Sequence, residues 1–162
     1  MKMIDETCVF AGSFDPVTNG HAFVIGMAVM TFKKVIVAIG VNEKKKYTYS
    51  LSERLEMLEK VCAKYDSVSV TSYSGLTADF MKSVGARYLV RGVRNGDDLK
   101  YEEDVYKKIS EDYPDCELVM YNCPKELNKI SSTFVKSLIK EGKPYEKFVP
   151  YEITESLKQR NK

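Results

Sequence analysis

Residues 35–41 read VIVAIGV, a run without a single polar side chain. Strands with one wet face alternate apolar and polar residues. A continuous β-branched run instead marks a strand covered on both faces, as in parallel sheets layered between helices. The rest of the chain keeps the rhythm such a sheet needs. Residues 7–10 (TCVF), 68–73, 88–90 and 116–121 (CELVMY) read as further strands, with helical patterns between them. The first helix spans about 21–32. The second opens with Ser50 and Glu53 at capping-box spacing and carries Leu51, Leu55, Leu58 and Cys62 on one stripe. A short helix over 78–84 closes at Gly85 as a left-handed cap, and a long polar helix covers about 98–113. Ser131 or Ser132 caps a helix with Phe134, Val135, Leu138 and Ile139 that ends at Gly142, and a last helix starts near Pro150.

Strands and helices in this order require right-handed βαβ crossovers. The expected fold class is α/β: a Rossmann-like open five-stranded parallel sheet with helices on both faces. A single domain is expected over residues 1–162, the C-terminal helix from about 150 packing on it. Charge narrows the function. Twenty-five Lys and Arg against 23 Asp and Glu leave a net +2, which supports neither a nucleic-acid partner nor a polybasic membrane binder. No stretch approaches the ~18 apolar residues of a membrane span, and acids occupy the start of the chain, so the default location is cytoplasmic. The four cysteines form no C-x-x-C pair and are read as free, mostly buried thiols. With His21 the only histidine, a His-rich zinc site is excluded.

In open parallel sheets ligands sit beyond the carboxyl ends of the strands. Those loops carry Gly12-Ser13-Phe14-Asp15-Pro16 with Thr18-Asn19-Gly20-His21, then Lys44-Lys45-Lys46, Ser74-Gly75-Leu76-Thr77, Arg91-Gly92-Val93-Arg94, and finally residues 125–133. Each has a plain structural explanation by itself. The lysines suit a solvated loop, Arg91 and Arg94 a surface fork pairing with Asp97, Asp98 or Glu102, Ser131 to Thr133 an N-cap, and His21 a satisfied structural imidazole. The fold, however, gathers all of them on one rim. An imidazole, two guanidiniums, an ammonium, hydroxyls and two helix N-termini together describe a polyphosphate site. Neither G-x-x-x-x-G-K-[ST] nor a G-x-G-x-x-G after the first strand is present, so P-loop and dinucleotide sites are excluded. No Cys or Ser with a base partner suggests a covalent nucleophile.

The segments 12–16 and 18–21 are similar to the first signature of the T/H-x-G-H nucleotidyltransferase superfamily, and Ile130-Ser131-Ser132-Thr133 with Val135-Lys136 to its second. Arg91-Gly92-Val93-Arg94, followed by Asp98 and Tyr101-Glu102, resembles the pattern of its bacterial-type phosphopantetheine adenylyltransferase family. The resemblance covers most of the chain. It implies transfer of the adenylyl group of ATP to 4′-phosphopantetheine, giving dephospho-coenzyme A and pyrophosphate by direct in-line attack without a covalent intermediate. Mg²⁺ would ride on the ATP phosphates and water, with no protein metal ligands.

The resemblance also implies roles for residues. His21, Lys45 and Arg94 would be catalytic, with His21 on the α-phosphate. Ser13, Lys45, Thr77 and Arg91 would hold the acceptor. ATP would meet Ser13, Phe14, His21, Gly92, Val93, Arg94 and Glu102. The strip Leu127, Asn128, Lys129, Ile130, Ser131, Ser132 and Thr133 would clamp its β- and γ-phosphates. Asp15 would orient the first loop. Coenzyme A would be a feedback ligand, and the assembly a homohexamer of two stacked trimers. Thr77, Asp104, Ile109 and Leu127 depart from the family pattern, mostly where the pantetheine arm would lie. Two alternatives stand beside this: the same chemistry on another phosphorylated acceptor, such as nicotinamide mononucleotide or a polyol phosphate with CTP, and a non-catalytic nucleotide-binding module.

Overall fold

The computed structural model describes residues 2–162. Five strands, β1 (Ile4–Gly12), β2 (Phe32–Val41), β3 (Val68–Ser74), β4 (Tyr88–Val93) and β5 (Glu117–Asn122), form one sheet in the order β3-β2-β1-β4-β5. Every pairing is parallel. The helices are α1 (Asn19–Thr31), α2 (Leu51–Cys62), α3 (Thr77–Ser83), α4 (Gly96–Asp112), α5 (Ser132–Lys140) and α6 (Thr154–Arg160). The α/β class, the strand count and the parallel sheet thus match the sequence reading.

Two apolar layers cover the sheet, and strand alternation assigns residues to them. Cys8 and Phe10 of β1 with Val35, Val37 and Ile39 of β2 join the layer that includes Val24, Ile25 and Ala28 of α1 and Leu58 of α2. Val9, Ala11 and Ala38 face the opposite layer, which contains Met81 of α3 and Ile109 of α4. The run at 35–41 is apolar throughout because each side of β2 meets a layer. Ile153 and Leu157, fully buried, bring the C-terminal segment into the α1/α2 layer, and Lys64 Nζ pairs with Glu152 at 3.1 Å over that contact. Cys8, Cys62 and Cys116 are buried and unpaired, and burial pushes their thiols up to about 12, 11 and 11. Cys123 is also free and only partly covered. No helix of the described residues is long and apolar enough to cross a membrane.

Local signals hold at the expected places. Ser50 and Glu53 form the capping box of α2, and Ser131 is the cap of α5, its Oγ accepting from the Phe134 N–H at 3.0 Å. Gly85 and Gly142 both adopt φ +67 after their helices. Two boundaries differ. α1 begins at Asn19 with Thr18 as its cap, and its last residue runs directly into β2 at Phe32. β4 extends through Val93, so Arg91, Gly92 and Val93 lie on the strand and not in the loop after it. Arg-Gly has the composition of a loop, but here glycine answers a packing demand. A Cβ at Gly92 would stand 2.6 Å from Cγ2 of Val24, so α1 packs flush on β4 only where that side chain is missing.

Strand order reverses at β1, with β2 and β3 on one side and β4 and β5 on the other. The β1/β4 ladder has only two paired positions, Cys8 with Tyr88 and Val9 with Leu89. Beyond them the strands part, and Arg91 Nη1 donates to the Ala11 carbonyl at 2.6 Å. A side chain from one strand thus satisfies a main-chain acceptor left open on the other. That split is where a doubly wound sheet offers a ligand crevice.

Candidate active site

Two clefts open at this split and share the wall formed by Ala11, Gly12, Ser13, Arg91 and Tyr101. The first, about 320 Å³, is bounded by the N-termini of α1 and α5 and by Arg94. The second, about 430 Å³, extends toward Lys45, Tyr47, Tyr73, Thr77 and Ile109.

His21 lies in the first turn of α1, and its ring is clipped to the start of its own helix. The Thr18 backbone N–H donates to Nδ1 at 3.0 Å, and the Thr18 hydroxyl lies 3.2 Å from the same nitrogen. The His21 N–H points back toward Thr18 Oγ1 at 3.5 Å, so histidine takes the place that Glu or Gln holds in the usual capping box. A backbone N–H can only donate. Nδ1 must therefore accept, and the ring proton resides on Nε2. Burial, followed by the charges of Arg91 and Arg94, lowers the ring pKa to about 4. The imidazole is thus neutral at ordinary pH, with one N–H as donor. Beneath it packs Phe14, at a ring separation of 4.9 Å, in a left-handed backbone conformation with φ 48.

Both arginines are paired, and inside the cleft rather than on the outer surface. Arg91 makes a two-pronged contact to Glu102, Nε to Oε2 at 2.7 Å and Nη2 to Oε1 at 2.9 Å. Glu102 is 7% exposed, with both carboxylate oxygens turned to Arg91. Arg94 grips Asp98 through Nε at 2.8 Å and Nη2 at 3.3 Å, and its Nη1 donates to the Ile130 carbonyl at 3.2 Å. Forked pairs of this kind fix the direction of the remaining N–H groups. The site is consequently less cationic than a count of its Arg and Lys suggests, and Lys45, exposed at the rim, has no carboxylate partner among the described residues.

The N-termini of α1 and α5 adjoin: Ser132 Oγ donates to the Pro16 carbonyl at 2.7 Å, and a Cβ on Gly20 would come 3.9 Å from the Ile130 oxygen. With Thr18 and Ser131 each capping N3, the first backbone N–H groups of both helices stay available to an anion.

Of the residues expected from sequence, Ser13, Phe14, His21, Arg91, Gly92 and Arg94 line the first cleft. Glu102, Ile130, Ser131 and Ser132 complete that group, while Ser13, Lys45, Thr77 and Arg91 line the second cleft. Val93 is buried off both walls, and Leu127, Asn128, Lys129 and Thr133 also stand outside them. The acceptor-side wall holds residues that sequence reasoning passed over. Tyr73, at the end of β3, hydrogen-bonds Thr77 Oγ1 through its hydroxyl at 2.8 Å. Arg54 was missed as well, although a charged residue between Leu51 and Leu58 on an apolar stripe is a visible anomaly.

Comparison with known proteins agrees with this geometry. The cytidylyltransferase-like family model matches residues 9–138. The chain is 40% identical over 153 residues to the phosphopantetheine adenylyltransferase of Leuconostoc mesenteroides, covering 94% of each chain. It is 38% identical to that of Leuconostoc citreum, covering 94% of this chain and 96% of the relative. For the Porphyromonas gingivalis protein of the same name the identity is 37%, over 91% of this chain and 96% of the relative. The chain belongs to the phosphopantetheine adenylyltransferase family. The match to the cytidylyltransferase-like model begins in β1 and ends in α5, and so takes in every strand and both helix N-termini of the site. As a phosphopantetheine adenylyltransferase family member the chain is a nucleotidyltransferase, for which a site with two adjoining clefts is the natural architecture.

Proposed function

We propose that the chain transfers the adenylyl group of ATP to 4′-phosphopantetheine, forming dephospho-coenzyme A and pyrophosphate in coenzyme A biosynthesis. The observation that carries this reading is the shared wall: one cleft suited to a nucleoside triphosphate and another to a phosphorylated acceptor meet at Ser13 and Arg91. An oxygen of the acceptor phosphate attacks the α-phosphorus of ATP, the bond to the bridging α,β-oxygen breaks, and pyrophosphate leaves with that oxygen's electrons. Such a displacement asks for alignment and charge stabilisation, and no protein nucleophile is required.

His21 suits the α-phosphate. Its Nε2–H donates without adding a charge that must first be desolvated, and the Thr18 clip holds the ring so that little reorganisation is needed as charge develops. Arg94 and the backbone N–H groups opening α1 and α5 suit the triphosphate. Arg91 and Lys45 suit the acceptor phosphate, with Lys45 nearest the mobile rim. Glu102 acts here as the residue that aims Arg91, and Asp98 does the same for Arg94.

Mg²⁺ belongs to this reading as the counterion of ATP. Among the described residues no three His, Cys, Asp or Glu side chains cluster to hold a metal ion, and the cleft acids Asp98 and Glu102 are engaged by arginines. A protein-held ion does not fit these residues; phosphate oxygens and water would supply its ligands. Coenzyme A as a feedback ligand, a homohexameric assembly and cytoplasmic residence are also part of the proposal, and rest on the family likeness.

The test is pyrophosphate release from ATP and Mg²⁺ with 4′-phosphopantetheine, beside nicotinamide mononucleotide. Release should require the pantetheine acceptor. His21→Ala should lower kcat by about 10²- to 10³-fold while the ATP dissociation constant moves far less. Release with the mononucleotide alone would reassign the acceptor, and tight ATP binding without turnover on either would leave a nucleotide-binding module.

A further inference from the structure

Arg54 sits on α2 with 2% of its surface exposed, and no carboxylate pairs with it among the described residues. Burying an unpaired guanidinium is costly, and a methionine would fill the same volume without that cost. Its contacts suggest what the guanidinium is for. Nη1 donates to the Ser13 carbonyl at 2.9 Å, Nε donates to the Tyr49 carbonyl at 3.1 Å, and the guanidinium carbon lies 4.0 Å from the centre of the Tyr47 ring. The Tyr47 ring also lies 5.7 Å from Lys45 Nζ.

Arg54 therefore joins two segments distant in sequence. One is the β1–α1 loop, with Ser13 leading to His21. The other is the β2–α2 loop, which carries Lys45, Tyr47 and Tyr49. Asp15 closes the same joint from its other side, its Oδ1 accepting from the Tyr49 N–H at 2.8 Å and its Oδ2 from the Thr48 N–H at 2.9 Å. Both polar groups of the Tyr49 peptide are thus held, the N–H by Asp15 and the C=O by Arg54. Lys136 Nζ, 3.2 Å from Asp15, ties α5 into the knot. Lys45 itself is exposed and makes no side-chain hydrogen bond among the described residues, so its place relative to the His21 loop depends on this joint.

We infer that Arg54 is a positioning residue for adenylyl transfer, acting through Tyr47 and Tyr49 to set Lys45 in register with the Ser13–His21 loop. This rests on the adenylyl-transfer reading above. A lysine at position 54 keeps a cation but has no fork to join two carbonyls, and so releases the β2–α2 loop. An error of about 1 Å in such a register typically costs on the order of 10²-fold in rate.

The experiment is a double-mutant cycle on the full chain, with Arg54→Lys, Lys45→Ala and the pair, read by pyrophosphate release with 4′-phosphopantetheine and by calorimetric binding of ATP alone. Arg54→Lys should lower kcat/KM for the acceptor about 10²-fold and leave the ATP dissociation constant within about threefold. Lys45→Ala should cost about as much in the wild-type background and less than about threefold more on top of Arg54→Lys. Fully multiplicative losses, or an Arg54→Lys enzyme as fast as wild type, would overturn the inference. Should Arg54→Lys fail to bind ATP, the cycle is run with Tyr47→Leu at its partly exposed position, where multiplicative losses again refute it. A wild-type chain that releases no pyrophosphate with this acceptor would instead refute the adenylyl-transfer reading, and the inference with it.

Discussion

Acidification acts on His21 in a way that can be worked out from its contacts. The ring pKa falls from 6.5 to about 4, because burial disfavours the imidazolium and Arg91 and Arg94 repel it. Protonation would also place a hydrogen on Nδ1, the atom that accepts the Thr18 N–H. Between about pH 4 and 6.5 the unfolded chain therefore binds a proton that the folded chain refuses. The sign follows from linkage: this stability is complete above 6.5, is lost as pH falls through the window, and its loss saturates below about 4. The full loss corresponds to about 3 kcal/mol, and about 2 kcal/mol of it is gone by pH 5. Because the chain has one histidine, nitrogen-15 NMR of the ring reports it without overlap. The spectra should show the Nε2–H tautomer and a midpoint near 4. Urea unfolding at about pH 8 and pH 5 should lose about 2 kcal/mol more in wild type than in His21→Asn, which lacks the titrating ring. A midpoint near 6.5, or a proton on Nδ1, would refute the clipped neutral histidine.

Glu102→Gln removes the charge facing Arg91 but keeps one acceptor oxygen. Chemical unfolding should show a loss of about 2 kcal/mol, and the KM for the acceptor should rise about tenfold as Arg91 loses its aim; an unchanged KM would separate Glu102 from acceptor binding. Gly92→Ala puts a methyl group 2.6 Å from Val24 Cγ2, which α1 cannot absorb without moving. It should cost about 1 to 3 kcal/mol in urea unfolding and slow turnover, since Val24 lies one turn beyond His21, and wild-type values in both would show that the helix has room.

What the sequence determined by itself is the set of elements and the kind of chemistry. Period-two and period-3.6 patterns are local properties, and so are the Ser50/Glu53 box and the glycine caps at 85 and 142; they were legible because their physics acts within a few residues. The resemblance carried by segments 12–21, 91–102 and 130–136 likewise pointed to the family. Pairing was decided only by the tertiary structure. Arg91 and Arg94 were visible as cations, but their charges are met by Glu102 and Asp98, and Arg91 bonds Ala11 because β1 and β4 part beyond Val9 and Leu89. β4 was read short at Val90 because a glycine in a strand looks like a break until the packing of Val24 against it is known. Arg54 joins Ser13 to Tyr49, 36 positions further along the chain, through contacts that arise only when α2 folds against the sheet edge of the site. Local sequence encodes local conformation; burial and the choice of partner depend on which distant segments the sheet order brings together, and that is a property of the whole fold.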